Sequence, residues 1–216
     1  MFDLHAIKLI LTVVSGICWT IVYIDGIRLG LKDRSYAIPF YALALNFAWE
    51  LLHTIFGFQA GLSVQTIINA VWLTFDVGIL YTYFKYGRKY FSPQFPERAF
   101  VIWSVLGLVT ALAVEYAFIR EFGVAVGAGY SAFLQNLLMS VLFIAMLVQR
   151  GNREGQSLNI AINKWIGTLA PTILFGIIGD GGFPRGSFLI LVAGLGCSVF
   201  DLIYIWLLAR AKLSAV

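Results

Sequence analysis

Asn46-Phe47-Ala48-Trp49-Glu50-Leu51-Leu52-His53 lies in the middle of a hydrophobic run, 36–58, that is long enough to span a bilayer. A carboxylate at that depth costs on the order of 3 kcal/mol on insertion scales and more in simulation, so Glu50 is expected to face a cavity or a partner. Asn46, Glu50 and His53 recur at spacings of four and three, which puts them on one helical face with Trp49 beside them. A second acid, Asp201, sits deep in the last hydrophobic run. Together the two acids point to a membrane-embedded active site.

The rest of the chain agrees with a membrane setting. Of its 216 residues, 60% are hydrophobic and 12% charged, with a mean hydropathy of +0.87. That is a polytopic membrane protein and not a soluble domain. At roughly 20 residues per span there is room for about seven helices and little else. Hydrophobic runs fall near 5–24, 36–58, 64–84, 100–119, 130–149, 158–178 and 187–209, with charged, proline-bearing or glycine-rich punctuation between them. The expectation is an all-α, seven-transmembrane-helix bundle forming a single domain over 1–216. The first run lacks a basic leader and a small-residue cleavage site, so it reads as a retained span.

Basic residues then give an orientation. Arg28, Lys32, Arg34, Lys85, Arg88, Lys89, Arg98, Arg150, Arg153, Lys164, Arg210 and Lys212 fall after spans one, three and five or at the C-terminus; Lys8, Arg120 and Arg185 fall on the other side. Twelve against three places the N-terminus outside and the C-terminus in the cytoplasm. The same bias explains the net charge of +4 without nucleic acid. Cys18 and Cys197 lie inside apolar helices, where packing is the expected role.

Further polar residues lie within the spans. Trp72 and Asp76 are one turn apart with Asn69 a turn earlier, Gln135 and Asn136 lie on span five, and Tyr204 follows Asp201 by a turn. Glu115 is close enough in sequence to Arg120 for an interfacial ion pair, and His53 reads as a hydrogen-bonded core residue. Counting from Tyr36 and Leu208 as cytoplasmic ends, Glu50 lies ~20 Å deep and Asp76 and Asp201 ~10–12 Å. Glu50 would then face the outer half of a shared cavity and the two aspartates its inner half.

Desolvation disfavours the charged form of a carboxylic acid, so an acid in hydrocarbon is a Brønsted donor at neutral pH. Aromatic faces stabilise a passing cation, and excluding water keeps a carbocation from early capture. Such a lining suits proton-initiated cyclisation of a polyprene. No Asp-Asp-x-x-Asp segment supports magnesium-assisted loss of pyrophosphate, and no histidine motif or nucleotide loop suggests a metal or a cofactor. The last span contains no lysine for a retinal Schiff base. A small proton-coupled transporter with seven helices is the competing reading; it needs two similar three-helix halves, which spans one to three and five to seven do not supply, although Pro171 would suit a gating helix.

Seven spans in a small chain, Asn46-x-x-Trp49-Glu50 in span two and Asp201 in span seven resemble the integral-membrane terpene cyclases of fungal meroterpenoid and indole-diterpene pathways and their bacterial relatives. That resemblance implies a cofactor-independent cyclase acting on a linear isoprenoid already attached to an aromatic or indole head group, with a prenyltransferase in the same pathway. It implies Glu50 and Asp201 as the catalytic pair, one donating the initiating proton to an alkene or terminal epoxide. Trp49, Trp72 and Tyr204 would stabilise cations, with Asn46 and Asp76 supporting. The short external loops favour a bacterial-type member in a cytoplasmic membrane.

Overall fold

A computed structural model describes residues 3–62 and 64–211. The chain is all-α: α1 (Leu4–Lys32), α2 (Phe40–Ala60), α3 (Val64–Tyr86), a 3-10 turn (Gly87–Tyr90), α4 (Glu97–Arg150), α5 (Leu158–Ile173) running into a π-helical turn (Leu174–Ile178), and α6 (Phe188–Arg210). Five of these segments are long and apolar enough to cross a membrane. α2 is not among them, because Asn46, Glu50 and His53 lower its hydropathy.

Six helices therefore stand where seven separate ones were expected. The expected spans 100–119 and 130–149 are both contained in α4, whose 54 residues are helical apart from Gly123 at φ 78°, ψ 165°. A straight helix would hold Glu115 and Gln135 ~30 Å apart, yet their side chains come within 3.3 Å. The chain thus doubles back at Gly123, whose positive φ an L side chain rarely adopts. A first arm (97–122) and a second arm (124–150) pack against each other.

Boundaries elsewhere follow local chemistry. α1 runs two turns beyond its expected end because Asp25, Gly26, Leu29 and Gly30 are buried there. α2 starts late because Pro39 sits at its N-cap. Ser157 and Ser187 cap α5 and α6, each side chain accepting from the N–H three residues on.

α2 packs on α3 and α4, α1 on α3 and α5, and α6 on α4 and α5. Tyr23, Leu43, Ala48, Met139, Phe143 and Tyr204 belong to one continuous buried core. At one end of the bundle the Arg150 guanidinium donates to the carbonyls of Tyr36 and Glu154, and Arg153 donates to the carbonyl of Ala209. Lys89 pairs with Glu154 there. Partial burial raises the Glu154 carboxyl, but the Lys89 and Tyr90 hydrogen bonds outweigh it and leave the group below its ordinary value. At the opposite end Lys8 pairs with Asp180 at 3.0 Å. Most of the basic set therefore gathers at one end, although Lys212 lies outside the described residues.

α5 and α6 meet closely at Gly194, where a Cβ would fall 2.2 Å from Thr172 Oγ1 and 2.7 Å from its Cβ. Gly194→Ala is expected to destabilise the protein by about 1–3 kcal/mol through overpacking. Adding Thr172→Ala should recover part of the loss; thermal unfolding of the detergent-solubilised single and double variants measures both.

Candidate active site

Asn46 is the centre of the buried polar network. Its Nδ2 donates to the Tyr23 hydroxyl at 2.6 Å and to Asp76 Oδ2 at 2.9 Å. Its Oδ1 lies 3.4 Å from Gln135 Nε2. With the Gln135 amide reversed, its nitrogen instead reaches Glu115 Oε1 at 3.3 Å and the Leu45 carbonyl at 3.2 Å. The Tyr23 hydroxyl also lies close to Glu50, which in turn lies near enough to Asp76 for the two carboxyls to repel when charged. Four helices thus meet at one amide, and three carboxyl groups surround it. Glu50 is 2% exposed, Asp76 0% and Glu115 1%. Each keeps one oxygen without a hydrogen-bond partner among the described residues: Glu50 Oε2, Asp76 Oδ1 and Glu115 Oε2.

Asp76 therefore belongs with Glu50 through Asn46 and Tyr23, and not with Asp201 on an inner half. The helix spacing put Asn46 and Glu50 on one face correctly, while the contacts across helices decided the partner of Asp76.

Asp201 heads a second buried cluster. Lys164 Nζ donates to both of its oxygens, at 2.7 and 2.9 Å, and to Ser140 Oγ at 2.7 Å. Lys164 is 0% and Asp201 1% exposed at the side chain, and the ammonium lies 5.9 Å from the Phe143 ring centroid. Lys164 is thus not one of the surface bases that orient the chain; it is an intramembrane cation paired with an intramembrane acid. None of the contacts at Asp201 involves Glu50 or Asp76.

The aromatic candidates divide in the same way. Trp72 Nε1 donates to Thr20 at 3.2 Å, and its ring lies 6.0 Å from that of Tyr23, beside the first cluster. Trp49 Nε1 donates to the Ala128 carbonyl at 3.1 Å, tying α2 to the second arm of α4, and its ring lies 4.5 Å from that of His53. His53 is buried, but its Nε2 has no partner among the described residues, so the expected core hydrogen bond at that atom is missing. Tyr204 belongs to the second cluster: it is fully buried, donates to Gln156 Oε1 at 2.9 Å, and packs 5.2 Å from Phe143.

The Glu115–Arg120 pair does not form. Residues five apart on a helix point to different faces; Arg120 is exposed and donates to the Tyr116 hydroxyl at 3.3 Å, while Glu115 turns inward to Gln135. Tyr23, Lys164 and Ser140 are the site members that sequence reasoning passed over. For Lys164 a signal existed, since a lysine well inside a hydrophobic run requires an acid partner.

Breaking a buried ion pair by removing one partner is expected to cost about 3–5 kcal/mol, whereas an apolar replacement of both ions can be nearly neutral. Lys164→Met should therefore lower the thermal midpoint sharply, and Lys164→Met with Asp201→Leu should restore most of it, as read by thermal unfolding in detergent.

Comparison with known proteins converges on one family. Residues 1–212 match the profile of the Pyr4-like transmembrane terpene cyclases. The chain is 32% identical over 168 residues to the Pyr4-family terpene cyclase mfmH of Annulohypoxylon moriforme, covering 76% of this chain and 68% of that protein. It is 30% identical over 210 residues to terpene cyclase macJ of Penicillium terrestre, covering 90% and 80%. Against terpene cyclase atmB of Aspergillus flavus it is 28% identical over 160 residues, covering 73% and 65%. These relatives are fungal, so they lend no support to a bacterial membrane. No solved structure matches.

Proposed function

Because the chain belongs to the Pyr4-like transmembrane terpene cyclases, and is thus an integral membrane enzyme of terpenoid biosynthesis, we propose that it closes the linear isoprenoid chain of a prenylated aromatic or indole compound by proton-initiated carbocation cyclisation. The observation that carries this reading is the buried Glu50, with a free Oε2 and no cation against it among the described residues. An unpaired carboxylate out of water is costly, so Glu50 serves as a carboxylic acid with a proton to give.

Glu50 transfers that proton to the terminal alkene or epoxide. The resulting cation is attacked by the π electrons of the next double bond, and each attack forms a ring bond and moves the charge along the chain. The rings of Trp72 and Tyr23, and that of Trp49, offer their negative faces to the moving charge. A proton finally leaves the carbon beside the last cation, its C–H electrons become a double bond, and the carboxylate left on Glu50 by the first step takes the proton up, which restores the acid. Product and substrate are then isomers. Asn46 holds the Tyr23 hydroxyl and Asp76 in place around the donor.

Asp201 suits a different share of the work. With both oxygens on Lys164 it has no proton to give, and the pair braces α6 and α5 against the second arm of α4. The transporter alternative gains nothing from the family membership. For topology, we propose seven crossings, counting polar-faced α2 and each arm of α4, with the N-terminus outside and the Arg150 end in the cytoplasm; the clustering of basic residues at that end supports it. Upstream, a prenyl-transfer reaction must supply the substrate.

Glu50→Gln, which keeps the shape and removes the acid, is expected to lower the cyclisation rate by about 100-fold or more while the variant still folds. The assay is conversion of farnesylated indole and phenol substrates, with and without a terminal epoxide, by membranes carrying each form, with products identified by mass spectrometry and NMR. Undiminished conversion by a folded Glu50→Gln variant would show that another group supplies the proton.

A further inference from the structure

The Tyr23 hydroxyl carries a hydrogen that the network around Asn46 does not use. Asn46 Nδ2 can only donate, so in its 2.6 Å contact with Tyr23 the hydroxyl oxygen accepts and the hydroxyl hydrogen stays available. Tyr23 is 2% exposed, and its ring packs against those of Trp19, Trp72 and Phe75 at 6.2, 6.0 and 6.0 Å. That packing holds the hydroxyl in one place, where α1 faces α2. Two carboxyls lie beside it, Asp76 and Glu50. Asp76 already receives a hydrogen from Asn46, whereas Glu50 Oε2 has no partner among the described residues.

Once Glu50 has given up its proton it is a carboxylate out of water, and the buried cations are engaged elsewhere. Lys164 is committed to Asp201 and Ser140, and Arg150 to the carbonyls of Tyr36 and Glu154. His53, a turn further out on α2, packs on Trp49. A donor already aimed at the place where charge develops lowers the cost of that charge, because nothing has to rearrange. The Tyr23 hydroxyl is such a donor, and the Asn46 N–H on its oxygen polarises it further. A carboxylate gains more from that hydrogen than the neutral acid of the resting site does. The hydroxyl therefore favours the transition state over bound substrate, which is the condition for raising kcat without changing KM.

We propose that Tyr23 is a positioning residue of the cyclisation, whose hydroxyl closes on Glu50 as the initiating proton leaves and holds the carboxylate until the last proton returns. The proton passes from Glu50 to the terminal alkene or epoxide, and the Tyr23 hydrogen stays on its own oxygen throughout. The role rests on the reading of Glu50 as donor above and extends it to the steps that follow. A carboxylate held by a hydrogen bond is a weaker base, so it takes a proton back from the cation later. The delay leaves time for further ring closures. Tyr23 thus acts through Glu50 twice, by easing the first proton transfer and by postponing the last.

The test uses the full chain in membranes and two probes, farnesylated indole and its terminal epoxide, with kinetics measured on whichever the unaltered chain converts. Tyr23→Phe keeps the ring and removes only the hydroxyl. It is expected to lower kcat about 100-fold with KM little changed, and to shift the product toward less completely cyclised isomers. Tyr23→3-fluorotyrosine keeps the hydroxyl and makes it a stronger donor, so kcat is expected to equal or exceed that of the unaltered chain. A residue that only fills space predicts the reverse, because the added fluorine crowds a buried ring. If Tyr23→Phe does not accumulate as folded protein, the 3-fluorotyrosine variant decides alone. An unchanged kcat in folded Tyr23→Phe, or a kcat lowered by 3-fluorotyrosine, overturns the role of Tyr23, while an inactive Glu50→Gln measured beside them leaves the cyclase reading intact. Full activity of Glu50→Gln, or no conversion of either probe by the unaltered chain, instead overturns that reading, and the role of Tyr23 with it.

Discussion

In a medium without water, every buried polar group has to be answered by another part of the protein, and Asn46 answers for most of this one. Its single amide engages α1 through Tyr23, α3 through Asp76 and the second arm of α4 through Gln135. Both hydrogens of the amide are committed, one to α1 and one to α3, and its oxygen faces the Gln135 amide of α4. Glu50, one turn along α2, lies beside the same tyrosine and aspartate. Positioning and packing are therefore one problem at this residue, because a shift of α1 or α3 would carry Tyr23 or Asp76 away from Glu50.

The second polar centre obeys a different rule. Lys164 and Asp201 satisfy each other almost completely, with Ser140 taking another of the ammonium hydrogens. Charge-assisted bonds of this kind are short and strong, but removing two ions from water offsets much of the gain. What the pair supplies is mutual dependence between α5, α6 and the second arm of α4. The first cluster, by contrast, leaves three carboxyl oxygens unanswered. On the proposed reading, incomplete satisfaction marks the place where a substrate has something to receive, and complete satisfaction marks a joint.

Much of this was legible in the residues. Hydrophobic runs located the helices to within a few residues, apart from the late end of α1 and the early start of the second arm of α4, because lipid contact leaves little latitude in composition. The spacing of Asn46, Glu50 and His53 gave the polar face of α2. What spacing within one helix does not encode is rotation and register between helices, and that is where the reading failed. Asp76 joined Glu50 and not Asp201, and Tyr23 was one more tyrosine in an aromatic-rich chain. Glu115 was matched to Arg120 by proximity in sequence, although five residues of helix turn the two apart. Lys164 was counted with the surface bases because it follows a polar loop, yet it stands six residues beyond Leu158, in a helix capped at Ser157, at a depth comparable to Asp201 in its neighbour.

The reversal at Gly123 also constrains how the protein is made. Glu115 finds its amide donor, the reversed Gln135, on the second arm of its own helix, so a nascent chain that ends near Gly123 holds an unanswered acid within a hydrophobic segment. Inserting that arm alone is unfavourable, and the stable intermediate is the pair of arms entering together as a helical hairpin. A substitution that stiffened the bend would thus act during synthesis, before any substrate is met, and would show as lost yield of inserted protein more than as slowed turnover.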